Sequence, residues 1–499
     1  MSDIIITQEN SAFIKLSCEK HIAHELSEYF TFMVPGYQFM PAYRSKMWDG
    51  KIRLFNKYTE SLYAGLQDHV VRFAKDRSYS VSIPETNSTN ITGDMVRKFI
   101  DEYLAPHSHG KRIYAHDHQV DAVRHAINKD RCLLLSPTAS GKSLIIYSLI
   151  RYYLEHSDLP KDKKILVIVP TTSLVSQMSS DFAEYSQADK RFESSHMCHE
   201  VFQGRDKTSK TARVIISTWQ SIYKMNEKFF SQFGAVFGDE AHMFKSKSLM
   251  SIMTKLIDCP YRIGTTGTLD GTQTHKLVLE GLFGPVYNVT NTKDLIEKKL
   301  LSNLKIDCIL LQHNDDDKKV ISRAKYFDEL EFLVLHQKRN NFIAKMANTL
   351  SGNTLILFQL VEKHGKALHT LVQQHCPDKK VFFVHGGVDA TDREKIRKIV
   401  EENDNAIIVA SYGTFSTGIS IRRLHNIIFS SPSKSRIRIL QSIGRQLRKS
   451  DHKEIAKLYD IGDDLSWKTW KNHTLKHFVE RVNIYNQEQF DYRMVNINL

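Results

Sequence analysis

Two sets of short, unbroken apolar runs limit the fold of this 499-residue chain more than any other feature. The first set lies at 132–135, 165–169, 213–217 and 235–238, the second at 354–358, 381–384, 406–410 and 427–430. A strand with helices over both faces has no side turned to water, so its sequence does not alternate. Between the runs the period changes. Leu144, Ile145, Ile146, Tyr147, Leu149, Ile150 and Tyr153 recur three and four apart, as on a helix packed against a sheet. The expectation is an α/β chain with two parallel-sheet domains in tandem.

The first hundred residues break this rhythm. They hold alternating, aromatic-rich pieces, a Pro35-Gly36 turn and the segment YRSKMWDGKIRLFNKY at 43–58. A small α+β domain is expected over 1–100. The helix-period GDMVRKFIDEYL and the histidine-rich APHSHGKR lead into the first α/β domain, 101–295, and the second follows at 296–499.

Charge narrows the partners. Lys and Arg number 69 against 56 Asp and Glu, a net +13, which suits nucleic acid or an anionic membrane face. No apolar run approaches the ~18 residues of a membrane span, and MSDIIITQEN lacks the pattern of a secretory signal, so a cytoplasmic protein is expected. The six cysteines lie far apart and read as reduced thiols.

The run at 132–135 continues as SPTASGKS to Ser143. A phosphate-binding loop needs a buried strand, a tight turn with inward N–H groups and a helix N-terminus facing the phosphates. All three appear in order, with Ser136 where such loops usually place glycine. Ser136, Pro137, Thr138, Ala139, Ser140 and Gly141 would cradle ATP, Lys142 would neutralise its β and γ phosphates, and Ser143 would ligate magnesium. AVFGDEAH at 235–242 then ends an apolar run in two acids. Asp239 suits magnesium, and Glu240 suits the attacking water.

Asp-Glu-Ala-His at 239–242 resembles motif II of the DEAH-box-type superfamily 2 helicases, and further motifs stand in that family's order. HQVDAV at 118–123 resembles the adenine-reading Q motif, VPTTSLVSQ at 169–177 motif Ia, STWQS at 217–221 motif Ib and TTGTL at 265–269 motif III. HGG at 385–387, YGTFSTGIS at 412–420 and QSIGRQLR at 441–448 resemble motifs IVa, V and VI. The likeness covers about 110–465, and with MWDGKIRLF it extends to the UvsW-type recombination helicases of T-even phages, relatives of RecG.

The resemblance implies two RecA-like domains in tandem behind a small α+β domain that recognises substrate. It implies an ATP-dependent DNA helicase or translocase that remodels forks, Holliday junctions and R-loops in recombination, replication and repair. Gln119 would read adenine, Gly418 would help to bind the nucleotide, Gln441 would sense it, and Arg445 and Arg448 would act as arginine fingers. Thr171, Thr218 and Thr417 would touch strand phosphates. Two departures stand out. His116 occupies a place where arginine is common before the Q motif, and Gly267 takes the centre of motif III.

Arg44, Lys46, Lys51 and Arg53 interleave with Tyr43, Trp48 and Phe55. Cations beside flat rings suit phosphates and exposed bases; Trp48 and Phe55 equally suit the core of a small domain. His107, His109, His116 and His118, without cysteines or acids at ligand spacing, read as a linker rather than a metal site. Expected partners are branched and single-stranded DNA, RNA within RNA–DNA hybrids, and single-strand-binding or recombination proteins. An RNA helicase, a duplex translocase that never separates strands and a nucleic-acid-binding module with a decayed ATPase are the rival readings. Intact Lys142, Asp239, Glu240, Arg445 and Arg448 argue against the last.

Overall fold

The computed structural model describes residues 2–83, 90–414, 421, 423–447 and 455–499. The chain divides into two compact units, Met1–Ser136 with Gly141–Thr290, and Asn291–Leu499 with Pro137–Ser140.

The first unit opens with a five-stranded sheet in the order Phe55–Asn56, Ser61–Tyr63, Phe13–Cys18, Ile4–Gln8, Val81–Ser82. Ile4, Ile6, Ile14 and Leu16 are buried with Ile22 and Leu26 of helix Lys20–Tyr29 and Val70 and Phe73 of helix Gln67–Asp76. Ile5, Thr7, Lys15 and Ser17, which alternate with them, are not buried. One covered face gives the period of two. This is the expected α+β domain.

A seven-stranded parallel sheet follows, in the order Cys198–Val201, Val214–Thr218, Lys164–Val169, Phe233–Asp239, Tyr261–Thr266, Arg131–Leu135, Val286–Asn288. The second unit carries its own seven-stranded parallel sheet: Lys380–Val384, Ala406–Ser411, Thr354–Phe358, Asn426–Phe429, Ile455–Asp464, Asn303–Gln312, Tyr492–Asn498. Every apolar run expected to be a strand lies on one of these. Every residue of Phe233–Asp239, Thr354–Phe358 and Ala406–Ser411 is buried, which is why those runs carry no alternation.

The N-terminal sheet and the first parallel sheet share one apolar cluster, from Ile4 and Phe73 through Leu133 and Val236 to Phe283. Polar contacts run alongside. His69 Nε2 lies 3.0 Å from Glu280 Oε2, Arg131 donates to the Ser11 carbonyl at 2.6 Å, and the Ser11 N–H donates to the Ile257 carbonyl at 2.8 Å.

The second unit is built around two buried ion pairs. Arg339 Nε donates to Asp463 at 2.8 Å and Arg481 Nε to Asp460 at 2.9 Å. Among the described residues no helix is long and apolar enough to cross a membrane.

Candidate nucleotide site and nucleic-acid contacts

Strand Arg131–Leu135 delivers the chain to Ser136, whose N–H donates to the Thr266 carbonyl at 2.8 Å. The candidate phosphate loop is thereby tied to the neighbouring strand. Ser140 Oγ donates to the Pro137 carbonyl at 2.7 Å and closes the turn, and helix Lys142–Glu155 starts at once. Ser136 is fully buried, so a small hydroxyl fits where the family motif has glycine. The strained position is later. Ala139 has φ +67° and Gly141 φ +84°, and a Cβ on Gly141 would lie 2.1 Å from Gln119 Nε2. The backbone angle favours glycine at 141, and an added Cβ would also have to displace the flexible amide end of Gln119.

Gln119 is brought to the loop by helix Asp117–Lys129, where its Oε1 accepts the His116 N–H at 2.9 Å as half of a capping box. His116, the departure from the family pattern, serves as that helix's N-cap.

Lys142 Nζ lies 3.4 Å from the Ser136 carbonyl and 4.0 Å from Glu240 Oε1. Asp239 ends its buried strand and accepts from Thr265 Oγ1 at 2.9 Å. Desolvation, reinforced by the Glu240 charge and opposed by Lys142, pushes the Asp239 carboxyl above the usual range. Glu240 adopts φ +50° and turns toward His242, whose Nδ1 lies 3.3 Å from Glu240 Oε2 and 2.9 Å from Thr266 Oγ1. The loop, the acid pair and motif III thus form one polar cluster. His242, Thr265 and Thr266 were not among the expected site residues; DEAH and TTGTL, which contain them, were the available signal.

Ser143, a hydroxyl, and Asp239, a carboxylate, are the hard oxygen donors that magnesium takes.

Thr218 ends strand Val214–Thr218, paired in register with Val169, and Thr171 stands two residues beyond the end of the neighbouring strand Lys164–Val169. Both cap. Thr171 is the N-cap of helix Thr172–Tyr185 and accepts the Leu174 N–H at 3.4 Å, and Thr218 is the N-cap of Trp219–Ile222, its Oγ1 2.9 Å from Ser221 Oγ.

In the second unit Gln441 and Arg445 sit one turn apart on helix Arg436–Gln446. Thr417, Gly418 and Arg448 lie outside the described residues.

Of the basic-aromatic segment, Phe55 belongs to the buried core. Trp48 is partly exposed, its indole N–H donating to the Lys51 carbonyl at 2.9 Å. Arg44, Lys46, Lys51 and Arg53 are exposed, and Arg53 is paired with Asp49. The linker histidines are dispersed in local contacts: His107 bonds the Ala105 carbonyl, His109 pairs with Glu184, and His116 stacks on His118.

Three family models match the chain. "DNA helicase UvsW, N-terminal" covers residues 3–84, "Type III restriction enzyme, res subunit" 112–271 and "Helicase conserved C-terminal domain" 337–450. The ATP-dependent DNA helicase uvsW of Enterobacteria phage T4 is 36% identical over 517 residues, spanning 100% of both chains. The crystal structure of T4 UvsW aligns over 99% of each chain at 34% identity and a TM-score of 0.53. The DNA-bound Type ISP restriction-modification enzyme LlaBIII aligns over 78% of this chain and 32% of its own, with a TM-score of 0.57; at 15% identity it speaks to the fold alone.

Proposed function

Because the chain belongs to the UvsW family of ATP-hydrolysing superfamily 2 helicases, we propose that it remodels branched DNA: forks, four-way junctions and R-loops in recombination, replication and repair. One observation carries the motor part of this reading, the meeting of Gln119, Gly141, Lys142, Asp239 and Glu240 at one end of a parallel sheet.

Residues 101–295 form the nucleotide-binding domain, 296–499 the second motor domain and 1–100 the substrate domain. The loop from Ser136 to Gly141 and the helix it opens cradle the phosphates, Lys142 balances their charge, and Gln119 reads the base. Ser143 and Asp239 would hold magnesium, which would offset the charge of the phosphates. Glu240, its far oxygen beside His242, orients the attacking water. Arg445 and Arg448 stabilise the transferring phosphoryl group and Gln441 senses it. Thr171, Thr218 and Thr417 follow the strand backbone. Arg44, Lys46, Lys51 and Arg53, with Trp48, meet the branch. Single-strand-binding or recombination proteins are its partners, and the cytoplasm of a phage-infected cell its setting.

The test is the ATP turnover of the full chain with single strands, duplex, forks, four-way junctions and RNA side by side. Branched DNA is expected to stimulate most. Equal or stronger stimulation by RNA would replace this reading with an RNA helicase.

A further inference from the structure

A second basic site lies wholly within the second unit. Strand Asn426–Phe429 runs into Ser430–Ser435 and then helix Arg436–Gln446, whose N-cap is Ser435. The connecting loop is clamped from below. Arg339 donates to the Ser430 carbonyl at 2.8 Å, Tyr412 to the Ser431 carbonyl at 3.2 Å and Arg481 to the Ser433 carbonyl at 3.0 Å.

Above the clamped loop is a cavity of about 530 Å³, lined by Tyr326, Gln359, Lys434, Arg438, His473 and His477 with loop residues. That volume falls within the roughly 300–1,000 Å³ usual for ligand sites. It stands at the C-terminal ends of the adjacent parallel strands Thr354–Phe358 and Asn426–Phe429, the edge where open α/β sheets take ligands.

Its charge is one-sided. Among the described residues no carboxylate lines the cavity. Glu329, the nearby acid, is saturated by the N–H groups of His473 and Thr474, the Asn472 amide and the Thr474 hydroxyl. Lys434 and Arg438 are exposed, four residues apart, and their side chains pair with no described residue. His477 Nδ1 is buried without a hydrogen-bond partner. Desolvation, then the charges of Lys434 and Arg481, press its imidazole down to about 4, so the pocket already repels a proton. Cations that pair with no described residue, a helix N-terminus and hydroxyls with no acid competing among the described residues are the chemistry that takes a phosphate group.

We propose that this pocket seats a backbone phosphate of the nucleic-acid strand through Lys434, Arg438 and the Ser435 end of the helix. The choice of a strand over free phosphate rests on the helicase reading above.

The experiment is a salt titration of single-strand DNA affinity with the full chain and with Lys434→Ala/Arg438→Ala. Two lost phosphate contacts should make the slope of log affinity against log salt shallower by about 1.4, at ~0.7 per contact on single strands. Both residues are exposed, so an unchanged thermal midpoint verifies folding. A control, Lys338→Ala/Lys345→Ala, removes the same charge from an exposed face of helix Gln337–Thr349. An unchanged slope in the first variant, or an equal loss in the control, overturns the proposal. A second arm follows ³¹P line broadening of inorganic phosphate in a Lys142→Ala background, which removes the phosphate loop's main cation. Broadening that needs Lys434 and Arg438, with an unaltered strand slope, would make the pocket a free-phosphate site and overturn the strand assignment. If the parent bound no single strand at all, the helicase reading would fail. The pocket would then stand on the phosphate arm, and broadening indifferent to Lys434 and Arg438 would overturn it too.

Discussion

Gly141 answers to two constraints, and they can be separated. Its φ of +84° would cost an alanine about 1–2 kcal/mol, while the added Cβ would press on the Gln119 amide. Gly141→Ala is expected to lower the thermal midpoint and to weaken binding of a non-hydrolysable ATP analogue at least tenfold. Adding Gln119→Ala should recover the crowding part of the midpoint loss and leave the backbone part. Parent-like stability and affinity in Gly141→Ala would refute both constraints. Lys142→Ala is expected to abolish ATP turnover while DNA affinity survives; turnover near the parent's would remove Lys142 from the mechanism. Both residues were legible, because G-K-S after an apolar run constrains chemistry locally. The link from Glu240 through His242 to Thr266 was not, since it joins residues 24 and more apart through side-chain directions that only the fold supplies.

Elements were legible in proportion to how completely they are buried. The run pattern passes over Asn303–Gln312 and Ile455–Asp464, whose first halves alternate exposed and buried residues, and over the edge strand Tyr492–Asn498, which has no buried residue. It also passes over Tyr261–Thr266, because Arg262 is buried there with three backbone carbonyls, those of Cys259, Met253 and Leu256, as its partners. A charged residue in a core strand hides it from any hydropathy pattern.

The loop after strand Asn426–Phe429 carries a pH prediction. His364 is buried, its Nδ1 3.1 Å from Ser431 Oγ and its Nε2 3.2 Å from Asn340 Oδ1, and desolvation with the Arg339 charge presses its imidazole down to about 3. An unfolded histidine takes its proton near pH 6.5. Between those values the unfolded chain holds the extra proton, so stability is fully present above about pH 6.5 and falls on acidification, by up to ~1.4 kcal/mol per pH unit. Urea midpoints at pH 7.5 and 5.5 should diverge, and His364→Gln should narrow the gap. A gap unchanged in the variant would show that His364 does not carry it. Arg339→Met should cost about 3–5 kcal/mol by the same denaturation, because it strands Asp463, whose carboxyl that guanidinium and His313 hold well below its usual range despite burial.

At the scale of the molecule, the small N-terminal domain is fastened to the first motor sheet rather than tethered to it. Sequence period tells which face of an element is covered and is silent about what covers it, so the shared core was illegible. Gly65 packs where a Cβ would lie 2.0 Å from the Glu280 carbonyl, and Gly65→Val is expected to lower the thermal midpoint of the whole first unit. Deleting residues 1–100 would uncover the same cluster, so the proposed recognition role is better tested by charge. Arg53 already neutralises Asp49, which leaves Arg44, Lys46 and Lys51 as the informative reversal to Glu. That variant is expected to lose fork and junction unwinding while ATP turnover on long single strands survives; normal fork unwinding would send the search for the recognition surface elsewhere.

On the proposed function, hydrolysis at Glu240 drives the remodelling of branched DNA. The most direct measurement is the conversion of a labelled four-way junction to duplex products, followed in the parent and in Glu240→Gln under saturating ATP and magnesium. The parent is expected to convert the junction only when ATP can be hydrolysed, and the variant to bind ATP and junction yet convert none. Conversion by Glu240→Gln at the parent's rate, or by the parent without hydrolysable nucleotide, would contradict that function.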